Sequence, residues 1–480
     1  MTKDHIIEEE VAGGYTRRLT RSFAYFGTVL FSQLLSFFVL PFITRALPPE
    51  VYGTYSLALA ISSLVSMVAT SWMRNVALTI YFDRDENGTT RGFFLGVAVL
   101  QASGFGLLYL LTLAAMLPLG RSPEDFRVMI SAGFMVLAGD LAVLATTLLR
   151  AERRAIAFGV AEAGGAVLRF GLTVVGLLVG LRTAELLFNA ATLGYAIAAI
   201  VAIWSLWPRL KGPRSIDRSG IVEVVRHGPG ALPFSIADWM ERLADRVVIE
   251  GFLGTAAVGI YSLGYTVGER TIGALTKAVF MMAWPNILES YKKSGVSATA
   301  LAIREAQSMY AWFGLGPAVF LVAYGPVLLE WFAGESYAFA GSIVPVVAVS
   351  MWLGGLSTYW NRHMEIRKQF GKLSAIRLVG AGVNVVLNLI LVPRFGIIGA
   401  AWATMGNRAL NAVVFFVTRD RELVEFPVAS LAQAALLSAA LWIATYLLPI
   451  ALVWKCAIFI GIYGLTAVLA LWRGPRRSRR

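Results

Sequence analysis

The stretch GFFLGVAVLQASGFGLLYLLTLAAMLPLG (92–120) holds 29 consecutive residues without a charge. About 20 apolar residues cross a bilayer as a helix, so this stretch is long enough to span a membrane. Further long uncharged stretches occupy 22–44, 51–73, 306–329, 336–361 and 426–454. Repeated blocks of this kind predict an all-α polytopic membrane protein.

The composition of the whole chain supports the same class. Of the 480 residues, 57% are apolar and 15% are charged, and the mean hydropathy is +0.68. Soluble proteins hold roughly 45–50% apolar and about 25% charged residues. These values exclude a water-soluble multidomain enzyme, a disordered chain and a fibrous one. The single Cys456 and three widely spaced histidines argue against disulfides and metal sites, and nothing points to a cofactor.

The apolar pattern predicts about fourteen transmembrane helices joined by short connections. The polar start of the chain has no apolar core, so we expect no cleaved signal peptide. The predicted organisation is a cytoplasmic N-terminus (1–21), an N-terminal six-helix bundle (22–207), a cytoplasmic basic linker (208–227), a C-terminal six-helix bundle (228–418), two extra transmembrane helices (428–472) and a basic cytoplasmic tail (473–480).

The distribution of Lys and Arg predicts the orientation. The loops on the side of the N-terminus carry 29 of these residues, and the loops on the opposite side carry 6. Positive loops stay in the cytoplasm, so we expect both termini there and the chain in the plasma or inner membrane. The net charge of +13 then needs no nucleic acid as a partner, and the basic tail is expected to touch anionic lipid.

An internal repeat relates the two predicted bundles. The segments LPPEVYGTYSL (47–57) and LGTAAVGIYSL (253–263) agree at five positions with an offset of 206 residues. Each segment follows the first span of its half. Because each half has six spans, an even number, the second half begins on the same side of the membrane as the first. The repeat therefore predicts two bundles related by a pseudo-twofold axis along the membrane normal, with substrate between them near the midplane.

Ionisable residues inside spans are costly and usually face a cavity or each other. The predicted seventh span carries five of them on one helical face, which we interpret as either a self-neutralised stripe or a polar gate. Pairs at i,i+4 are expected between Asp238 and Arg242 and between Arg246 and Glu250. The predicted coupling or gating residues are Glu162, Arg169, Asp238, Glu241, Arg242, Asp245, Arg246 and Glu269.

Three segments resemble a known family. They are FFVLPFITRALPPEVYGTYSLALAISSL (37–64), ADRVVIEGFLGTAAVGIYSLGY (244–265) and NVVLNLILVPRFGIIGAAWAT (384–404). They look like segments of the polysaccharide and O-antigen (Wzx-like) flippases, a branch of the multidrug/oligosaccharidyl-lipid/polysaccharide exporter superfamily. The resemblance implies twelve core helices in two bundles, often with two extra C-terminal helices. It also implies a transporter, not an enzyme, that moves an isoprenoid-pyrophosphate-linked glycan to the outer leaflet by alternating access.

Such a substrate needs cationic contacts, because a pyrophosphate carries about two negative charges that Arg binds with a planar fork and Lys as a point charge. For each candidate a structural salt bridge is the alternative interpretation. The predicted substrate-binding residues are Arg270, Lys277, Arg377 and Arg408, with Arg45, Arg74, Asn384, Asn388 and Asn407 beside them. Expected partners are the lipid-linked glycan, membrane lipids and other glycan-assembly membrane proteins.

Other functions fit the sequence less well. A membrane glycan polymerase or ligase would need a large external loop with catalytic Arg and His, and the predicted external loops are short and lack His. An ion-coupled drug exporter of the same superfamily would need an acidic lumen for cationic ligands, and a peptidoglycan-precursor flippase is a further alternative. No GxxxxGK[ST] phosphate loop occurs, so we expect a gradient rather than ATP to drive transport.

Overall fold

The computed structural model describes residues 25, 27–118 and 120–473, and every regular element in this part of the chain is helical. Helices suit a bilayer because no water is present there to bond to the backbone, so each segment must satisfy its own N–H and C=O groups. The predicted N-terminal segment (1–21), the start of the first predicted span and the basic tail beyond residue 473 lie outside the described residues.

The described helices follow one another with short connections. Two π-helical turns, Met67–Ser71 and Glu269–Gly273, each join two consecutive helices. In chain order they are α1 (Gly27–Ala46), α2 (Pro49–Ser66), α3 (Trp72–Glu86), α4 (Thr90–Met116), α5 (Pro123–Ala151), α6 (Ala155–Leu178), α7 (Ala184–Leu206), α8 (Arg218–His227), α9 (Leu232–Leu253), α10 (Thr255–Gly268), α11 (Ala274–Ala333), α12 (Val344–Trp360), α13 (Arg362–Ile366), α14 (Phe370–Val417), α15 (Val428–Leu447) and α16 (Leu452–Arg473).

The helices form two units. The first unit holds the chain up to Leu47 and Thr54–Trp239, and the second holds Pro48–Gly53 and the chain from Met240 onward. In the first unit α7 packs against both α5 and α6. The backbones of α6 and α7 touch at Gly165 and Gly194, where an added Cβ on either residue would lie within 2.8 Å of the other's carbonyl oxygen. Small residues at a helix crossing allow this close approach.

In the second unit α12 packs between α11 and α14, and the last two helices lie against α11. Two hydrogen bonds fix that arrangement. Tyr463 of α16 donates to the Trp312 carbonyl oxygen at 2.7 Å, and the Tyr324 and Thr445 hydroxyls bond to each other at 2.5 Å. Buried tyrosines whose hydroxyls find partners contribute both apolar contact and orientation, so α15 and α16 are held as part of this unit.

Eleven described helices are long and apolar enough to cross a membrane, against the fourteen spans predicted from sequence. One candidate, Thr255–Ala333, is 79 residues long, about 120 Å at the rise of an α-helix and several times the bilayer core. It is broken at Gly295, and α14 is broken at Gly396, both at positive φ. The helix α9 is not among the candidates. Each of the two broken helices contains two predicted spans, and α9 is a third predicted span that is not counted. These three places account for the difference between eleven candidates and fourteen predicted spans, and fourteen crossings stays a prediction.

The offset of 206 residues recurs in the structure. Within the second unit, an added Cβ on Gly53 would overlap the Thr255 carbonyl oxygen, and one on Gly259 would overlap the Pro49 carbonyl oxygen. Pro49 and Thr255 are themselves 206 positions apart, so the contact is reciprocal. Each copy of the repeat therefore presents the same backbone atoms to the other copy.

The short helix α8 lies in the predicted basic linker and is capped by Asp217. The Asp217 carboxylate accepts from the Gly220 backbone N–H at 3.1 Å and from the Ser219 hydroxyl at 2.6 Å. Burial alone would raise the pKa of Asp217, but these hydrogen bonds and the Arg84 guanidinium, 3.5 Å away, hold the pKa below its usual range. Asp217 is therefore a charged N-cap whose anionic form is the stabilised one.

Candidate functional site

The charged face of α9 contains a closed, buried ion pair. Asp245 and Arg246 are 2% and 5% exposed, and Arg246 Nη1 lies 2.8 Å from Asp245 Oδ1. The Tyr261 hydroxyl donates to Asp245 Oδ2 at 2.5 Å, and Arg246 stacks 4.9 Å from the centre of the Tyr265 ring. The predicted pair between Arg246 and Glu250 is wrong, because Arg246 pairs with Asp245 beside it on α9, and the rings of α10 cover its guanidinium.

The remaining charges of that face have separate neighbours. Glu250 accepts from the Thr255 hydroxyl at 3.0 Å, and Arg242 lies 4.0 Å from Glu269, which begins the second π-helical turn. Asp238 belongs to the first unit rather than the second. This helical face therefore contacts Thr255 and Glu269 in addition to holding the pair of Asp245 and Arg246.

Glu241 faces a chain of buried amides on α14. Asn411 Nδ2 donates to Glu241 Oε1 at 3.2 Å and to Asn407 Oδ1 at 3.1 Å. One helical segment earlier, Asn388 Nδ2 donates to the Asn384 carbonyl oxygen at 2.9 Å. Asn388 Oδ1 and Asn407 Nδ2 have no hydrogen-bond partner among the described residues. The predicted asparagines are therefore buried polar groups with unused hydrogen-bonding capacity.

The predicted cationic residues of the second unit differ in their surroundings. Arg270 lies within the π-helical turn Glu269–Gly273, and Arg408 packs against Gly354 of α12. Arg377 lies on α14 among the same helices. Lys277 of α11 is exposed and forms no ion pair or hydrogen bond with any residue the structure describes. Lys277 is thus a cation in a candidate membrane span, without a protein counter-charge in the described part of the chain.

In the first unit Arg74 is neutralised by a partner that sequence reasoning left unassigned. Asp140 Oδ1 lies 2.5 Å from Arg74 Nη1, and Asp140 Oδ2 accepts from the Ser66 and Thr70 hydroxyls at 2.7 and 2.8 Å. Ser66 precedes the first π-helical turn, Thr70 lies within it, and Arg74 follows it. This pairing needs contacts over 66–74 residues of separation, which no local pattern reveals. Arg45 is an exposed residue near the end of α1.

Arg169 and Glu162 lie on α6, two turns apart. The Arg169 guanidinium lies 4.9 Å from the centre of the Phe170 ring and 4.7 Å from that of Tyr195. Glu162 interacts electrostatically with Arg150 of α5. Arg169 has no carboxylate within ion-pair distance among the described residues. The predicted coupling pair on α6 is therefore split between two different surroundings.

No metal centre is evident in the residues that the structure describes, since they hold no group of three or more His, Cys, Asp or Glu side chains able to share an ion. The functional groups that remain are cations, amides and aromatic rings within membrane helices. Such groups can bind and orient an anionic or hydroxyl-rich ligand, and they offer no nucleophile with an adjacent base.

Comparison with known proteins agrees with a membrane protein that binds a ligand. Residues 42–340 match the family described as "Polysaccharide biosynthesis protein". The chain is 22% identical to the probable low-salt glycan biosynthesis flippase Agl15 of Haloferax volcanii over 395 residues, covering 80% of each chain. It is also 22% identical to the succinoglycan biosynthesis transport protein ExoT of Rhizobium meliloti over 390 residues, covering 77% of this chain and 76% of that protein.

The fold matches a solved transporter. The lipid II flippase MurJ, in an inward closed conformation, superposes with a TM-score of 0.72 at 14% identity, covering 94% of this chain and 98% of that one. At this identity the likeness establishes the fold alone. The relatives are named as flippases and transport proteins, not as enzymes. The matched region is more than half of the sequence, and the chain is therefore a multi-pass membrane transporter of the polysaccharide biosynthesis protein family, within the superfamily of multidrug, oligosaccharidyl-lipid and polysaccharide exporters.

Proposed function

We propose that this protein is a flippase that carries an isoprenoid-pyrophosphate-linked glycan from the cytoplasmic to the outer leaflet by alternating access, with both termini in the cytoplasm. The observation that supports this proposal best is Lys277, a cation on a membrane-spanning helix with no counter-charge among the described residues. A charge at such a place is costly unless water or an anion accompanies it. A pyrophosphate supplies that anion.

The other predicted contacts divide by chemistry. Arg270, Arg377 and Arg408 would add charge-assisted hydrogen bonds to phosphate oxygens. The amides of Asn388 and Asn407, with unused donors or acceptors, and the nearby Asn384 would suit sugar hydroxyls. Arg74 is a weaker candidate because Asp140 already neutralises it. Of the proposed coupling carboxylates, Glu162, Asp238 and Glu269 stay candidates, whereas Asp245 is enclosed by Arg246 and Tyr261.

Transport in purified vesicles tests the proposal. The protein is reconstituted with a fluorescent isoprenyl-pyrophosphoryl disaccharide, and an impermeant quencher reports the fraction that reaches the opposite leaflet. No nucleotide is present, so activity also shows that transport does not need ATP. Lys277→Ala should lower the initial rate about tenfold or more, and Lys277→Arg should retain much of it, because the charge is kept.

Lys293→Ala is the matched control, since Lys293 lies on the same helix but is 72% exposed and pairs with Glu289. It should flip the lipid at the wild-type rate. If Lys277→Ala also flips at that rate, this cation plays no part in recognition. If wild-type protein moves no pyrophosphate-linked sugar at all and instead exports a cationic dye, the proposed substrate is wrong.

A further inference from the structure

The first unit holds its own intramembrane cation, Arg169. It is residue 15 of the 24 in α6, about 21 Å along the helix from Ala155 and about 14 Å from Leu178. Its side chain is partly exposed, and its nitrogens form no hydrogen bond or ion pair with any described residue. Glu162 lies about 10 Å away along the same helix, too far to neutralise it.

Residues of α6 and α7 surround Arg169. The aromatic faces of Phe170 and Tyr195 cover its guanidinium at 4.9 and 4.7 Å. At the crossing with α7, an added Cβ on Gly194 would lie 2.6 Å from the Arg169 Cβ, so there is no room for the residue to shift sideways. The Tyr195 ring in turn contacts α5, where an added Cβ on Gly139 would lie 3.7 Å away.

The ring contacts leave the N–H donors of the Arg169 guanidinium unused among the described residues. A cation over a ring face is attracted by the ring electrons and needs no N–H donor for that contact. The Tyr195 hydroxyl likewise has no hydrogen-bond partner among the described residues. The Arg169 guanidinium thus offers N–H donors and a positive charge, and the Tyr195 hydroxyl offers an O–H donor. Charged and neutral donors of this kind bind phosphate oxygens.

We propose that Arg169 and Tyr195 form a phosphate-binding site in the first unit, which receives the pyrophosphate of the lipid-linked substrate. This inference rests on the proposed function and gives Arg169 a role in substrate binding in place of the coupling role expected from sequence. The phosphate of an ordinary anionic phospholipid has related chemistry, so the test must separate the two sources.

Binding to purified protein in detergent provides the test. Farnesyl pyrophosphate is titrated and followed by the rise in the thermal denaturation midpoint, with farnesol and phosphatidylglycerol as the other arms. Wild type should respond to farnesyl pyrophosphate and not to farnesol. Arg169→Ala should weaken binding at least tenfold, Arg169→Lys about threefold or more, Tyr195→Leu about tenfold and Tyr195→Phe only two- to threefold.

Arg127→Ala is the control, because Arg127 belongs to the same unit and is 70% exposed. Unchanged binding in both Arg169→Ala and Tyr195→Leu overturns the site. Phosphatidylglycerol that competes as well as farnesyl pyrophosphate overturns its assignment to the substrate. If both variants bind normally while wild type flips the glycan, only this inference fails; if wild type neither binds farnesyl pyrophosphate nor flips the glycan, the proposed function fails.

Discussion

Replacement of Asp140 tests how far the first unit depends on its buried ion pair. The Asp140 side chain is 10% exposed and accepts from three donors, on Arg74, Ser66 and Thr70. Asp140→Ala removes all three acceptor contacts at once. Removing one member of a buried pair costs about 3–5 kcal/mol. Because Arg74 is 23% exposed and can regain water, and Thr70 also bonds the Ser66 carbonyl oxygen, we expect the lower end, about 3 kcal/mol.

Thermal denaturation in detergent measures this loss. For a cooperative unit of roughly 200 residues, about 3 kcal/mol corresponds to a fall of about 6–12 °C in the midpoint. Heating rates must match, because membrane-protein unfolding is commonly irreversible. Asp140→Asn should lose nearly as much, since its amide would set a donor against the Arg74 guanidinium. Thr70→Val should lose only about 1 kcal/mol, the value of one hydrogen bond.

The double variant Arg74→Ala with Asp140→Ala decides between structure and substrate binding. If the pair is structural, the double variant is more stable than Asp140→Ala alone, because no buried charge remains unpaired. Additive losses in the double variant would refute this reasoning. So would an Arg74→Ala protein that keeps its midpoint and membrane abundance while losing all flippase activity, since Arg74 would then act on the substrate.

Two further predictions follow from backbone contact and from helix capping. Gly53→Ala should lower stability by about 1–3 kcal/mol because its Cβ meets backbone that cannot rotate away, whereas Gly251→Ala, with nothing within 4 Å, should be neutral or stabilising in thermal denaturation. Asp217→Ala should cost about 1 kcal/mol through the lost cap, and Asp217→Asn less. Folding depresses the pKa of Asp217. The extra stability of wild type over Asp217→Asn should therefore be present near pH 7 and disappear as the pH falls through that pKa. A stability difference between the two proteins that grows in acid would contradict the stated role of Arg84.

The membrane class could be predicted from sequence because it depends on one quantity, the length of an apolar run relative to the bilayer. Hydropathy reports apolarity, not helicity, and here the two diverge. The segment 285–305 interrupts the apolar pattern with charged residues, yet α11 stays helical through it except at Gly295. Charged residues such as Lys292 and Lys293 leave the apolar pattern but are good helix formers.

The candidate site was harder to predict because its partners come from distant helices. The i,i+4 rule describes an isolated helix and so proposed Glu250 for Arg246, but burial brought Asp245 and Tyr261 instead. Sequence placed Arg169 in the membrane, but nothing in the spacing of α6 could reveal the Tyr195 ring on α7. The sequence shows which charged residues lie in predicted spans. Their partners depend on how distant helices pack, and the sequence does not show that packing.

The mutual contact of Gly53 and Gly259 bears on how this sequence can drift over generations. Each glycine lies against a carbonyl oxygen from the other copy of the repeat: Gly53 against that of Thr255, and Gly259 against that of Pro49. A larger residue at one copy cannot be accommodated by adjusting its own helix, because the obstruction is contributed by the other copy. The two copies are therefore bound to change together: descendants that lose one glycine are expected to have respaced both segments, and positions 53 and 259 should vary as a linked pair.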